Sequence, residues 1–308
     1  MVKSKKIMKP DDLETIVCFG EVLWDMLPDG AEPGGALLNV AIHLKRQGLN
    51  PIIVSSLGND SNGQKLREFL QKSGLSPGYL QEDDELPTSQ VLVHLDSAKN
   101  ATYEICEPVA WDNILFNKNL KFLAEKTTLI VFGTLAMRNK TTRETLLKFI
   151  EKSPAKRFLD VNLRPPFDRK EVVEQMLFLA NYAKLNDDEL KTIAGWNQKN
   201  GSERDLIQWF SEHYDCSLVC VTRGKNGAVL FIENEFFEHS GFTVEAADTV
   251  GAGDSFLAGL IAKLGSAYPV EKALEFACAT GAFVASRKGA VPDYSGQTIE
   301  AIISPRYS

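Results

Sequence analysis

The sequence predicts an α/β fold: a mostly parallel central sheet with helices on both faces, plus a small β addition. Three observations predict it. Short apolar runs that stop at glycine or a polar residue alternate with segments whose apolar residues recur every three and four positions. This alternation extends from a first run near residue 16 to a last helix near 286, as expected when strands are followed by crossover helices. One stretch, 88–105, changes to a period of two, which marks an antiparallel hairpin.

Taken in order, Ile16, Val17, Cys18 and Phe19 make an apolar run that Gly20 ends, a buried strand. Gly34 and Gly35 open a helical pattern through Leu38, Ala41, Ile42 and Leu44, which Gly48 closes. A strand at 52–57, turn residues at 58–63 and a helix through Leu66, Phe69 and Leu70 follow. Val91, Val93 and Leu95 then alternate with Leu92 and His94; 96–100 supply a turn and 102–105 a return strand. Further strands are expected at 129–132, 157–161, 183–185, 218–221 and 228–232. Helices are expected at 142–151, 170–181, 188–194, 203–213, 254–264 and 270–286.

A chain of 308 residues suits one large domain or two ordinary ones. Hydrophobic residues at 44% and charged residues at 24% are values of a globular protein. The net charge of −7 argues against a nucleic-acid or anionic-membrane surface, so an anionic ligand needs a local positive site. The 5 cysteines are scattered without a Cys-x-x-Cys pair, and most of them read as small buried residues of a reducing compartment. The 4 histidines show no zinc-ligand spacing. Residues 1–12 carry lysines but no apolar run follows, so they read as a flexible tail rather than a secretory leader. No run approaches the ~20 apolar residues that span a bilayer. A cytoplasmic protein is expected.

The chemistry concentrates in residues 247–254, Ala-Asp-Thr-Val-Gly-Ala-Gly-Asp, which run into a helix with Phe256, Leu257, Leu260, Ile261 and Leu264 on one stripe. Asp248 and Thr249 read as start signals, and the glycines keep side chains away from the helix mouth. A helix start exposes unpaired N–H groups and partial positive charge, a site for an anion. Asp254 falls in that first turn, where an acid beside a phosphate cradle can orient an attacking hydroxyl. Such a carboxylate is expected to be readily ionised and therefore a weak base. The stretch lacks the third glycine of a dinucleotide fingerprint and the Lys-Ser/Thr of a P-loop. Other candidates follow strands, where ligands of open α/β sheets bind. Asp25 offers two acceptors to a pair of ligand hydroxyls. Arg164, in Asp-Val-Asn-Leu-Arg, offers a planar fork for a phosphate.

The segment 248–254 resembles the C-terminal signature of the ribokinase-like sugar kinases, the pfkB family. The resemblance implies that Asp254 is the catalytic base and that the amides of Gly251, Ala252 and Gly253 form the anion hole. Residues 34–41, Gly-Gly-Ala-Leu-Leu-Asn-Val-Ala, resemble the N-terminal signature, which assigns Gly34, Gly35 and Asn39 to the sugar pocket. Residues 160–164 resemble the Asp-x-Asn-x-Arg run of fructokinase-like members, with Arg164 facing sugar or γ-phosphate. Asn186 and Glu189 match the family's Asn-x-x-Glu motif, a water-mediated Mg²⁺ site near the phosphates; a helix cap explains the same pair. Thr222, Gly224 and Gly227 fall where the family contacts the nucleotide, though a hairpin turn accounts for them too. Residues 285–292 resemble the segment whose carbonyls, with Asp248, hold a monovalent cation such as K⁺.

The likeness spans roughly 16–292. It implies a kinase domain over 13–300 with a lid subdomain inserted at about 22–34 and 88–112. The expected reaction is ATP-dependent transfer of the γ-phosphate to a primary hydroxyl of a monosaccharide, fructose foremost. Ribose, 2-keto-3-deoxygluconate and nucleosides remain alternatives, as does a non-catalytic sugar sensor, which would be expected to have lost Asp254, Asn186 or Glu189. In the family the lids of two subunits often pack together, so a homodimer is expected, with Val91, Val93 and Leu95 as its apolar face; a hairpin folded onto its own domain would show the same pattern.

Overall fold

The computed structural model describes residues 8–27, 30–95, 101–266 and 268–304; the side chains of 93–95 and 101–103 lie outside that description. The first half of the chain is built from β1 (Ile16–Phe19), β2 (Leu23–Leu27), β3 (Gly30–Gly34), α1 (Ala36–Arg46), β4 (Ile52–Gly58), α2 (Ser61–Lys72), β5 (Leu80–Asp83), β6 (Ser89–Leu95), β7 (Ala101–Ile105), α3 (Lys118–Ala124), β8 (Leu129–Gly133) and α4 (Lys140–Glu151). There follow β9 (Lys156–Asp160), α5 (Lys170–Leu179), β10 (Tyr182–Asn186), α6 (Asp187–Trp196), α7 (Glu203–His213), β11 (Leu218–Thr222), β12 (Ala228–Ile232) and β13 (Glu235–His239). Three helices end the chain, α8 (Ala252–Gly265), α9 (Val270–Ala285) and α10 (Gly296–Ile303).

The large sheet runs β13-β12-β11-β10-β9-β8-β1-β4-β5. From β11 across to β5 the pairings are parallel, and β12 and β13 finish one edge antiparallel. Its two faces are legible residue by residue. Val17, Phe19, Ile130 and Phe132 point into a core shared with α3 to α7, through Leu120, Phe149, Met176, Ile193 and Phe210. Their neighbours Ile16, Cys18, Leu129 and Val131 enter a second core with α1, α2, α8 and α9, through Leu38, Leu66, Leu257 and Ala277. A strand apolar at every position is what two covered faces require, and it explains why β1 reads as a continuous apolar run.

Strand order also fixes where a ligand can enter. From β1 the chain steps outward to β4 and β5, then returns to β8 on the other side of β1 and steps away through β9 to β11. The direction of winding thus reverses between β1 and β8, and a crevice opens beyond their carboxyl ends. Two glycines end these strands and both meet Leu37 of α1: a Cβ on Gly20 would stand 3.1 Å from Leu37 Cγ, and one on Gly133 3.2 Å from its Cδ2. Small residues here let α1 lie down over the strand ends.

A second, four-stranded sheet has the order β3-β2-β6-β7. The expected hairpin is its β6–β7 pair; β2 joins β6 in parallel and β3 in antiparallel register. Its base is tied to α2, where Asp60 accepts from the Gly63 amide at 2.7 Å and from the Thr88 amide at 2.8 Å. Trp24 of β2 donates to the Asn62 carbonyl at 3.0 Å.

Two expectations need correction. Residues from Met8 on do not behave as a tail: Met8 is buried, and a 3₁₀ turn at Pro10–Leu13 sets Leu13 against the end of α8, where a Cβ on Gly265 would stand 2.5 Å from Leu13 Cγ. Residues 1–7 lie outside the described residues. The helix start at Asp248 and Thr249 is also displaced, because the N-cap of α8 is Gly251, at φ 75°, with no side-chain cap. The turn at 96–100 and the Val93 and Leu95 side chains, read as part of a dimer face, lie outside the description as well. No helix among the described residues is long and apolar enough to cross a membrane.

Candidate active site

The crevice is walled by the starts of two helices. On one side Gly35, at φ 108°, caps α1, and a Cβ there would stand 2.6 Å from the Glu21 carbonyl. Beside it, a Cβ on Gly34 would stand 2.9 Å from Asp25 Cγ. The Asp25 carboxyl therefore occupies the space a side chain at 34 would need, which is the physical reason for the glycine pair. Asn39, one turn into α1, is 4% exposed.

On the other side stands the mouth of α8. Gly251 takes a left-handed conformation open mainly to glycine, and a Cβ on it would stand 2.7 Å from Ala290 Cα. With no side-chain cap, the first-turn amides face outward and can hold an anion, although the Ala252 N–H turns back to the Thr249 carbonyl at 3.3 Å. Asp254 follows in the same turn, 9% exposed, and its Oδ2 accepts a hydrogen bond from Asn39 Nδ2 at 2.8 Å. The fold thus brings the two sequence signatures into direct contact.

Burial reverses the expected acidity. Asp254 is pushed up to about 6 by loss of water and by the charge of Asp160, against the pull of Lys184, Asn39 and Arg164. Asp25 is raised to about 6 by burial and by Glu32, and Glu21 to about 7 by burial. The helix start alone would have favoured the ionised form; desolvation outweighs it. Asp254 is thus a better proton acceptor near neutrality than its position in the sequence implies.

Two cations temper this acidic cluster. Arg164 is exposed, turned at Nη1 to the Leu163 carbonyl, and close enough to lower Glu21, Asp25 and Asp254 together. Lys184, at the middle of β10, is a buried cation that the sequence reading missed. Its Nζ lies 2.9 Å from Asp160 Oδ1 and 3.1 Å from where a Cβ of Gly253 would stand. Burial lowers its pKa, yet Asp160 and Asp254 more than offset this and hold it above the ordinary value. Glu21 was missed as well. Lys184 stands between the buried Ala183 and Leu185, and a charge in such a run was the available signal. Three buried acceptors near Asp254 lack a protein donor among the described residues: Asn39 Oδ1, Asp160 Oδ2 and Glu21 Oε2.

The remaining candidates occupy the nearby strand ends. Asn186 and Glu189 form a capping box at the start of α6, each accepting from the other's amide at 2.8 Å. Glu189 Oε1 also accepts from the Leu163 amide at 2.8 Å, so this carboxylate joins α6 to the segment leading to Arg164. Thr222 ends β11, and Gly224 and Gly227 both take positive φ in the turn to β12. Arg223 in that turn is held by Glu203 and by Glu238. A Cβ on Gly227 would stand 2.7 Å from the Ser240 carbonyl carbon, so close backbone packing alone accounts for that glycine. Asp248 bridges two segments, accepting from the Val250 amide at 3.0 Å and the Gly289 amide at 3.2 Å.

The pattern described as pfkB family carbohydrate kinase matches residues 16–295. A fructokinase of Salmonella typhimurium is 29% identical over 294 residues, covering 89% of this chain and 94% of that protein. An ATP-dependent 6-phosphofructokinase of Thermoanaerobacterium thermosaccharolyticum is 29% identical over 309 residues, 94% of each chain. Among solved structures, a fructokinase with bound ATP from Xylella fastidiosa aligns with a TM-score of 0.85 over 95% of this chain and 99% of that one. Its 22% identity speaks for a shared fold. With the family pattern covering most of its length and both signatures meeting at one crevice, the chain belongs to the pfkB family of carbohydrate kinases and is a sugar phosphotransferase.

Proposed function

We infer that the protein transfers the γ-phosphate of ATP to a primary hydroxyl of fructose. The observation that carries this reading is the Asn39–Asp254 contact: a raised carboxylate at an uncapped helix mouth, beside acceptors that await hydroxyl donors. In this reading Asp25, Gly34, Gly35, Asn39 and Arg164 surround the sugar, and Glu21 adds a further acceptor. Asp254 takes the hydroxyl proton as it attacks phosphorus, and the amides of Gly251, Ala252 and Gly253 with Lys184 hold charge on the transferring group. Thr222, Gly224 and Gly227 border the nucleotide. The small sheet acts as a lid over the sugar, and lids of two copies pair as a homodimer.

The metals are read from their donors. Both Glu189 oxygens already accept backbone amides, and among the described residues no cluster of three His, Cys, Asp or Glu could chelate an ion. Asn186 and Glu189 therefore fit Mg²⁺ through its water shell rather than direct chelation. Asp248, with the carbonyls of 285–292, fits a monovalent ion such as K⁺. A cytoplasmic site of action agrees with five cysteines that are all free thiols.

The test is ATP consumption over ketohexoses, aldohexoses, pentoses, sugar acids, nucleosides and fructose 6-phosphate, repeated with Asp254→Asn. Fructose turned over fastest, with a loss of roughly 10²–10⁴ in kcat for the variant, supports the reading. Fastest turnover of fructose 6-phosphate would instead favour the activity named for the Thermoanaerobacterium relative. Asp254→Asn retaining kcat within tenfold removes the assigned role.

A further inference from the structure

Helix α1 holds more of the site than Asn39. One turn further on, His43 is 0% exposed and both ring nitrogens are engaged. Nε2 lies 3.0 Å from the Ala290 carbonyl and Nδ1 2.9 Å from the Tyr294 hydroxyl. A carbonyl only accepts, so Nε2 carries the proton and the Tyr294 hydroxyl donates to Nδ1. Gln47 Nε2 donates to the same hydroxyl at 3.4 Å. Arg46 secures the segment further along, from Nη2 to the Val291 carbonyl at 2.7 Å and to Asp293 at 2.9 Å.

The segment held in this way is the one that backs the mouth of α8. Ala290 lies directly on Gly251, so close that no residue with a side chain fits there, and the carbonyl His43 holds is among the atoms it would strike. The neighbouring Gly289 amide donates to Asp248, which leads into the same mouth. Successive turns of α1 thus reach both sides of the α8 start: Asn39 grips Asp254, and His43 grips the backbone behind Gly251. An apolar side chain would fill the volume at 43 as well but would leave the Ala290 carbonyl without its donor.

We propose that His43 is a positioning residue, whose Nε2–H to Ala290 bond holds the 287–294 segment against Gly251 and so keeps the anion-binding mouth of α8 in register with the Asn39–Asp254 pair. The bond ties the sugar side of the crevice to its phosphate side through one rigid helix. Burial and Arg46 keep the imidazole uncharged, its pKa lowered to about 4, so the hydrogen-bond pattern persists through the working pH range.

His43→Leu removes both bonds at similar volume, whereas His43→Gln keeps an amide donor at a similar reach. The readouts are ATP affinity by calorimetry without acceptor, kcat and KM with fructose, and the unfolding temperature. Folded His43→Leu should bind ATP about tenfold more weakly and lose about tenfold in kcat, with KM for fructose within threefold of wild type; His43→Gln should stay within threefold throughout. A purely packing role predicts the reverse order, with the apolar variant better than the amide, and that result overturns the proposal. If His43→Leu does not fold, Tyr294→Phe unhooks the ring from its far side: weaker ATP binding by threefold or more supports the proposal, and unchanged binding overturns it. The ATP measurement does not depend on fructose as acceptor, so failure of that assignment and failure of this one are separable.

Discussion

Asn39 Nδ2 donates to Asp254 Oδ2 across 2.8 Å, joining residues 215 positions apart in the chain. This bond favours the ionised carboxylate and aims its other oxygen, so its loss acts on both acidity and orientation.

Asn39→Asp replaces the donor with a second acid and should raise Asp254 further. The acidic limb of the kcat profile should move upward by about one pH unit, since like charges at this range shift a buried acid by that order. Asn39→Ala should lower kcat about tenfold with a smaller displacement of the limb. Rate profiles from pH 5 to 9 check both, and an unmoved limb in Asn39→Asp would contradict the coupling.

With Asp254 and Asp25 at about 6 and Glu21 at about 7, turnover should climb between pH 5.5 and 7.5 rather than near an ordinary aspartate's range. The apparent values belong to the cluster as a whole. Stability should run the other way. These acids bind protons more tightly folded than unfolded, so from about pH 4 to about 7 the native state holds more protons and loses stability as pH rises. Melting curves of wild type and Asp254→Asn isolate one member: the variant should gain on wild type as pH rises from about 4 to about 7 and hold a level lead above that, and a gap constant across the whole range would refute the shift.

Lys184 and Asp160 form a buried ion pair beneath Gly253. Lys184→Met leaves Asp160 without its partner and should destabilise the fold by about 3–5 kcal/mol. The double variant Lys184→Met/Asp160→Leu should recover most of that loss, because both charges are gone, yet remain defective in turnover. Urea melts beside kcat separate the two effects. A double variant that regains wild-type kcat would leave the pair a purely structural role.

Much of the large sheet was legible because strands covered on both faces are apolar along their buried length, as β1 and β8 are throughout and β11 is up to Thr222. The strands missed are those for which this logic fails. β2, Leu-Trp-Asp-Met-Leu, is broken in the middle by Asp25 and only its first residue is fully buried. β3, Gly-Ala-Glu-Pro-Gly, has neither apolar run nor clean alternation, and β5 and β13 lie at sheet edges with mixed burial. α3 and α10 are short helices with one brief apolar face each. The site shows a similar division. Asp254, Asn39 and the glycine pairs stand in contiguous signatures, whereas the Lys184–Asp160 pair and the Glu21 carboxyl draw their meaning from neighbours remote in sequence. The acidity of Asp254 could not be read from the chain, because it depends on how much water the folded crevice excludes.

Glu21 illustrates a cost of such a crevice. Its side chain is buried, and Oε2 meets no donor among the described residues. Neutralising it as Glu21→Gln should make the empty protein more heat-tolerant above neutral pH while slowing catalysis, a trade between endurance and work that few surface positions would offer. A search for hardier variants that scores survival of heating alone would favour glutamine at this position and discard the acid.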